Sequence, residues 1–317
     1  MRVGIVDIGS NTIKVLIAEK SGDKLRTLGQ KSLEARLGGD HLDGRPWLIK
    51  EKREAAISAI QELLAFATTH APEQLLLVGT SALREAANQE VFVKELNESS
   101  GQQLRILSEY EEAKFIGAGI ALDPGIPDAE NFMAFDLGGG SLEQITYRKG
   151  QLEKAQSFQL GAVRLTRSLC SHNGTSPLSE EERQVIKQQV LSTLPQGDAA
   201  TLLIGSGGAF TVSRAILISR LPGNDKLTTQ ELFLQPEYKE IPIEVLRELA
   251  LELQSLALEE RLKVPHLPAG RADIFPVALE IVLAIAEQYH AQAWLQSFYN
   301  LRFGLAASLL SGEFHEL

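Results

Sequence analysis

The sequence predicts an α/β architecture built around a repeated hairpin, and three observations carry that expectation. Val6-Asp7-Ile8-Gly9-Ser10-Asn11-Thr12 follows the apolar run Val3 to Val6, and Phe135-Asp136-Leu137-Gly138-Gly139-Gly140-Ser141 follows the apolar run Phe132 to Phe135. Short apolar runs alternate with amphipathic helical stripes along most of the chain. The 317 residues, 44% hydrophobic and 23% charged, have ordinary globular composition and exceed what a single core usually serves, so two domains are expected.

The elements follow in order. Val3 to Val6 reads as a buried strand, Gly9 to Thr12 as a tight turn, and Ile13 to Ala18 as the returning strand. Leu25 to Gln30 extends the sheet. Glu51 to Thr69 carries Ala56, Ile60, Leu63, Leu64 and Ala67 at helical spacing and covers that sheet. Gln74 to Gly79 is a continuously apolar strand, with Thr80, Ser81 and Arg84 where it hands over to a helix, a usual ligand position. Arg105 to Leu107 gives a further strand, and a helix runs from Ser108 to about Leu122. Asp123-Pro124-Gly125-Ile126-Pro127-Asp128 breaks the pattern and reads as an interdomain linker. Phe132 to Asp136, Leu142 to Tyr147 and Leu152 to Phe158 are three strands, and Ser179-Glu180-Glu181-Glu182 is a capping box opening a helix to Leu194. Leu202 to Gly208 reads as a strand ending in a glycine-rich turn, then a helix near Phe210 to Leu217 whose start favours an anion. From Ile243 to Leu310 the chain reads as mostly helical, with one strand at Ala293 to Phe298.

Composition narrows the function classes. A formal net charge of −10 argues against general nucleic-acid binding, which rests on clustered Lys and Arg. Met1 to Leu16 is too polar for a signal peptide and no run of about 18 apolar residues occurs, so a cytoplasmic protein with no membrane contact is expected. The lone Cys170 rules out a disulfide framework and reads as a packed residue, and the six histidines lack metal-ligand spacing.

The two hairpins carry chemistry as well as topology. Each puts backbone N–H groups and small hydroxyls around a concavity with a carboxylate at its floor, Asp7 in one and Asp136 in the other, which suits phosphate oxygens and a divalent cation. Asp136 and Glu143 lie seven residues apart across one turn, where a hairpin can bring them together. Mg²⁺ keeps waters and borrows phosphate oxygens, so one or two carboxylates anchor it; an Asp capping its own turn is the bland alternative.

Seven colinear segments resemble one family. VDIGSNT at Val6 to Thr12, GTSALREAAN at Gly79 to Asn88, EEA at Glu111 to Ala113, FDLGGGSLE at Phe135 to Glu143, LGAVRLT at Leu160 to Thr166, GSGG at Gly205 to Gly208 and GRAD at Gly270 to Asp273 are similar to the exopolyphosphatase and guanosine pentaphosphate phosphatase family, within the actin, sugar kinase and heat-shock ATPase superfamily. The resemblance implies two ribonuclease-H-like domains, 1–124 completed by a C-terminal helix at about 300–317, and 125–299, with an active site in the cleft between them. It also implies the short, two-domain form, Mg²⁺ as cofactor with K⁺ as an activator, and a homodimer.

The resemblance also assigns roles. Glu111 is explained by the capping-box spacing from Ser108, which leaves Glu112 as the catalytic base that orients and deprotonates water, with nearby carboxylates and phosphates raising its pKa. Where the family usually has Gly after the Ser, this chain has Glu109, an added acid beside the base. Arg84 is the cationic clamp; a surface pairing with Glu85 or Asn88 is its bland alternative. Phosphates fall to Gly9, Ser10, Asn11 and Thr12, to Thr80 and Ser81, to Gly138, Gly139, Gly140 and Ser141, and to Gly207 and Gly208; the metal falls to Asp136, Glu143 and Asp7. Arg164 and Arg271 stay outside the catalytic set, and Lys14 faces either the ligand or solvent. The expected reaction is release of terminal orthophosphate from inorganic polyphosphate, with guanosine pentaphosphate as the alternative substrate. An ATP-dependent small-molecule kinase, gripping adenosine at Gly205 to Gly208, and a non-catalytic polyphosphate or alarmone sensor are the competing classes.

Overall fold

A computed structural model describes residues 1–22, 24–43, 45–127, 130–196 and 203–313. The chain forms two compact units, the first comprising Met1–Asn131, Ile145–Ser157 and Tyr299–Leu317 and the second Phe132–Gln144 and Phe158–Phe298.

A meander opens the first unit: β1 (Arg2–Ile8), β2 (Thr12–Ser21) and β3 (Lys24–Glu34). β1 and β2 pair antiparallel with Asp7 opposite Lys14, so both side chains stand on one face. Both central strands are buried almost throughout because each face is covered. After the small ribbon β4 (His41–Leu42) and β5 (Arg45–Pro46), α1 (Lys50–Thr68) sets Ala56, Ile60, Leu63 and Ala67 against that sheet. β6 (Gln74–Gly79) then pairs parallel with β1, Gly79 beside Ile8, and Thr80 N–H donates to the Ile8 carbonyl at 3.3 Å. The crossover thus delivers Thr80 to the first turn. α2 (Ser81–Glu85), α3 (Gln89–Ser100), β7 (Leu104–Ile106) and α4 (Glu109–Ala121) follow, giving the sheet order β3-β2-β1-β6-β7.

The second large sheet repeats that plan. Its strands are β8 (Phe132–Leu137), β9 (Leu142–Arg148), β10 (Gln151–Phe158), β11 (Leu203–Gly207), β12 (Glu240–Pro242) and β13 (Ala293–Gln296), in the order β10-β9-β8-β11-β13-β12. β11 runs parallel to β8, as β6 does to β1. Its helices are α5 (Ala162–Leu169), α6 (Glu180–Thr193), α7 (Gly208–Ser219), α8 (Thr229–Leu234), α9 (Ile243–Ser255), α10 (Leu258–Arg261) and α11 (Phe275–Gln288), and α12 (Leu301–Ser311) returns to the first unit. Phe135, Phe210, Tyr289 and Trp294 pack ring to ring in the second core. Among the described residues no helix is long and apolar enough to cross a membrane.

Some expectations needed correction. The segment read as a linker lies just before the end of the first unit's opening segment at Asn131 and is, over Asp123 to Pro127, a turn in which Asp123 accepts from Gly125 N–H at 2.8 Å and Ile126 is buried; Asp128, like Leu202, lies outside the described residues. α3, α5 and β12 were not expected. α3 and α5 begin without a side-chain cap, and Asn88 before α3 spends its amide on both backbone groups of Leu48, so the usual start signal is missing. The boxes Ser108/Glu111 and Ser179/Glu182 do form.

Candidate active site

Two turns of the same construction follow β1 and β8. Gly9 N–H donates to the Thr12 carbonyl at 3.2 Å, and Gly138 N–H donates to the Ser141 carbonyl at 3.0 Å. In each, further carbonyls are tied to the segment after the meander's third strand. Gly38 N–H takes the Ser10 carbonyl at 2.9 Å, and the N–H groups of Ala35 and Arg36 both take that of Asn11 at 3.0 Å. Ala162 N–H takes the Gly138 carbonyl at 3.0 Å, Arg164 N–H that of Gly139 at 3.1 Å, and Arg164 Nε that of Gly140 at 2.7 Å. Fixed carbonyls hold each turn in one shape, and glycine-rich turns held in this way can present their amides to an anion. Gly161 has to be glycine: a Cβ there would overlap the Gly139–Gly140 peptide. Arg164, which the sequence reading left outside the catalytic set, therefore holds the second turn in shape, and its signal was its place in LGAVRLT.

Arg84 and Glu112 meet directly. Arg84 Nη1 donates to Glu112 Oε2 at 2.9 Å and to the Leu107 carbonyl at 2.9 Å. α2 supplies the arginine immediately after β6, and the box-capped first turn of α4 supplies the buried glutamate. Both Nε and Nη2 of Arg84 are buried with no hydrogen-bond partner among the described residues. Leaving buried guanidinium donors unpaired costs free energy, and such a fork can take the oxygens of an acceptor from outside the described residues. A guanidinium thus stands against the Glu112 carboxylate. Ser81 hydroxyl donates instead to Glu85 at 2.6 Å, which removes its proton from the set available to phosphate, while Thr80 is buried at the end of β6. Glu111 is held by the Ser108 amide and hydroxyl and by Arg105 at 2.5 Å; burial pushes its carboxyl up, and those bonds outweigh it to leave it below the usual range. Glu109, at the start of α4, is exposed.

The three candidate metal carboxylates differ in surroundings. Burial pushes the half-buried Asp7 above the ordinary carboxylate range, and Lys14 and then Arg302 of α12 oppose it. Cations are the charged groups acting on it. Asp136 accepts from Ser206 hydroxyl at 3.0 Å, its neighbour across the β8–β11 register, and Glu143 is buried on β9. Among the described residues no three His, Cys, Asp or Glu side chains converge in metal-holding geometry. Gly207 has φ +98°, and a Cβ there would lie 2.9 Å from Asp136 Oδ1, so the turn after β11 abuts the second hairpin. Against Gly208, at the start of α7, lies the Arg271 guanidinium: a Cβ would fall 2.8 Å from its Nη2 and nearer still to the rest of the group. Cys170 is buried, and burial, reinforced by Glu182 against Arg261, pushes its thiol up to about 11.

Comparison with known proteins bears on this arrangement. The Ppx/GppA phosphatase family model matches residues 16–313. The chain belongs to the Ppx/GppA phosphatase family. Ppx/GppA phosphatases are hydrolases, so the chain is an enzyme of that kind. Solved structures similar to this Ppx/GppA chain include an exopolyphosphatase from Cytophaga hutchinsonii, 24% identical, covering 98% of each chain with a TM-score of 0.86. The Aquifex aeolicus PPX-GPPA enzyme is 22% identical over 98% of this chain and 99% of that one, with a TM-score of 0.78. Those likenesses carry the fold, the two-domain actin-like α/β arrangement that the sequence resemblance implied.

Proposed function

We propose that this Ppx/GppA phosphatase releases terminal orthophosphate from inorganic polyphosphate by in-line attack of water on the end phosphorus. The observation that carries the reading is the Arg84–Glu112 pair, in which one arginine holds a buried carboxylate with Nη1 and keeps Nε and Nη2 unpaired. Nε and Nη2 suit oxygens of the transferring phosphoryl, whose charge builds in the transition state. Glu112, held in that pair, accepts the proton of the attacking water, while the amides of Ser10 to Thr12 and of Gly139 to Ser141 take bridging and non-bridging phosphate oxygens.

Asp136 and Glu143 fit Mg²⁺ by the chemistry of their donors: two carboxylates short of a full shell suit an ion that completes its coordination with water and phosphate oxygens. Bound there, Mg²⁺ supplies charge neutralisation to the phosphate chain. Asp7 fits less well, because Lys14 and Arg302 act on it; its part is to order those cations.

Guanosine pentaphosphate offers the same terminal anhydride and is the second substrate reading. An adenosine-gripping kinase is disfavoured by Arg271, whose guanidinium covers Gly208 where that reading places the nucleoside. The test is orthophosphate release from long-chain polyphosphate, guanosine pentaphosphate and ATP with Mg²⁺, for wild type and Glu112→Gln. The expected result is turnover fastest on polyphosphate and reduced by about 10²- to 10⁴-fold in E112Q. Undiminished release by E112Q removes Glu112 as base, faster release from guanosine pentaphosphate reverses the substrate order, and binding without turnover by wild type makes the chain a sensor.

A further inference from the structure

α4, the helix that carries Glu112, contains glycines at 117 and 119 although each costs about 1 kcal/mol of helix propensity relative to alanine. Gly119 meets α12 backbone to backbone. A Cβ at Gly119 would lie 2.9 Å from the Asn300 carbonyl carbon, nearer still to its oxygen, and 3.0 Å from Gly304 N. The contact is reciprocal: a Cβ at Gly304 would lie 2.8 Å from the Phe115 carbonyl carbon, nearer still to its oxygen, and 3.0 Å from Gly119 N. No flexible side chain intervenes at the crossing, so neither helix can yield without moving whole.

Glu112 and Gly119 are seven residues apart, almost two full turns at 3.6 residues per turn, and lie on one face of α4. Phe115, the other contact residue, lies one turn from Glu112 on that face. On α12, two residues before Gly304, buried Arg302 donates from Nη1 to the Val15 carbonyl of β2 at 3.2 Å. One turn of α12 therefore grips the helix of the base on one side and the strand leaving the first phosphate turn on another.

We propose that the Gly119–Gly304 crossing is the device that sets the position of Glu112, with both glycines acting as positioning residues for the hydrolytic step. The inference rests on Glu112 being the base. A methyl group at either glycine forces the helices apart by about an ångström, and a displacement of about 1 Å at a reacting group costs on the order of 10²-fold. Substrate is gripped by other groups, so the loss belongs in kcat.

The experiment is Gly304→Ala and Gly119→Ala, each made in wild type and in Glu112→Gln, with kcat and KM for polyphosphate hydrolysis and a thermal melt for folding. Expected is a kcat loss of about 10- to 100-fold in the wild-type background, KM within about two-fold, and less than about two-fold further loss in E112Q, because the misplaced group is already absent. A folded G304A with wild-type kcat, or equal fold losses in both backgrounds, overturns the proposal. E112Q as fast as wild type overturns the reading of the base and this inference with it; a slow E112Q beside an unimpaired G304A overturns this inference alone. If both alanine variants fail to fold, Gly117→Ala takes their place. Its Cβ meets movable side-chain atoms, Ile145 Cγ2 at 2.7 Å and Tyr147 Cε2 at 2.8 Å, and nudges the same helix. It is expected to lose about 3- to 10-fold in kcat only where Glu112 is present; an unchanged kcat there overturns the proposal.

Discussion

Arg84 and Glu112 form an asymmetric pair. The carboxylate is buried and has the guanidinium as its ionic partner, whereas the guanidinium keeps two donors for something else. Removing one charge of a buried ion pair costs about 3 to 5 kcal/mol, while a neutral isostere keeps a hydrogen bond and costs about 1 kcal/mol. Arg84→Ala should therefore destabilise the first unit by about 3 kcal/mol, and Glu112→Gln by about 1 kcal/mol. Both should lose most of their turnover. Denaturant unfolding followed by Trp47 emission measures the contrast, and equal destabilisation by the two substitutions would mean that the pair is not what holds Glu112.

At the scale of an element, α4 begins with a capping box that lowers Glu111 and leaves Glu112 one step further on, facing Arg84. A carboxyl whose folded pKa lies below its unfolded value, here 4.5, contributes stability above that value and loses it as pH falls through the folded pKa. Ser108→Ala removes one of the bonds that lower it, the one its hydroxyl donates, together with a cap on Glu111 N–H worth about 1 kcal/mol. The expected outcome is a deficit of about 1 kcal/mol at neutral pH that narrows as pH falls below the ordinary carboxylate range. Unfolding curves for the two proteins at about pH 7 and about pH 3 check this, and a deficit that widens in acid contradicts the assignment of Glu111 to the cap.

At the scale of the whole molecule, the chain leaves its first unit and returns to it twice, over Ile145–Ser157 and again with α12, which joins the fold begun at Met1. α12 buries Leu301, Phe303 and Leu305 there. Each large apolar side chain contributes about 1.5 to 3 kcal/mol, so the helix supplies a sum comparable with the net stability of a domain. The two tryptophans report separately, Trp47 in the first unit and the fully buried Trp294 in the second. Truncation after Phe298 should abolish the cooperative transition seen by Trp47 in a Trp294→Phe background and leave that seen by Trp294 in a Trp47→Phe background nearly in place. Loss of both transitions would show that the units do not fold independently.

The sequence by itself determined the alternation of elements, the two aspartate-ended hairpins and both capping boxes, because periodicity, glycine-rich turns and Ser-x-x-Glu spacing are local properties. The capping box accounts for Glu111, and it was the family resemblance that turned attention to Glu112 beside it. Tertiary structure alone decided that Arg84 reaches Glu112 and not Glu85, that Arg164 ties down Gly140, and that Arg302 and Lys14 converge on Asp7. Lys14 faces Asp7 across the β1–β2 hairpin, whereas the arginine pairings join residues 28, 24 and nearly 300 positions apart. No pattern along the chain encodes them, because they follow from where parallel crossovers and a returning helix bring the backbone. The glycines of α4 show the same division: in the sequence they are only poor helix formers, and the approach of α12 supplies the reason they are there.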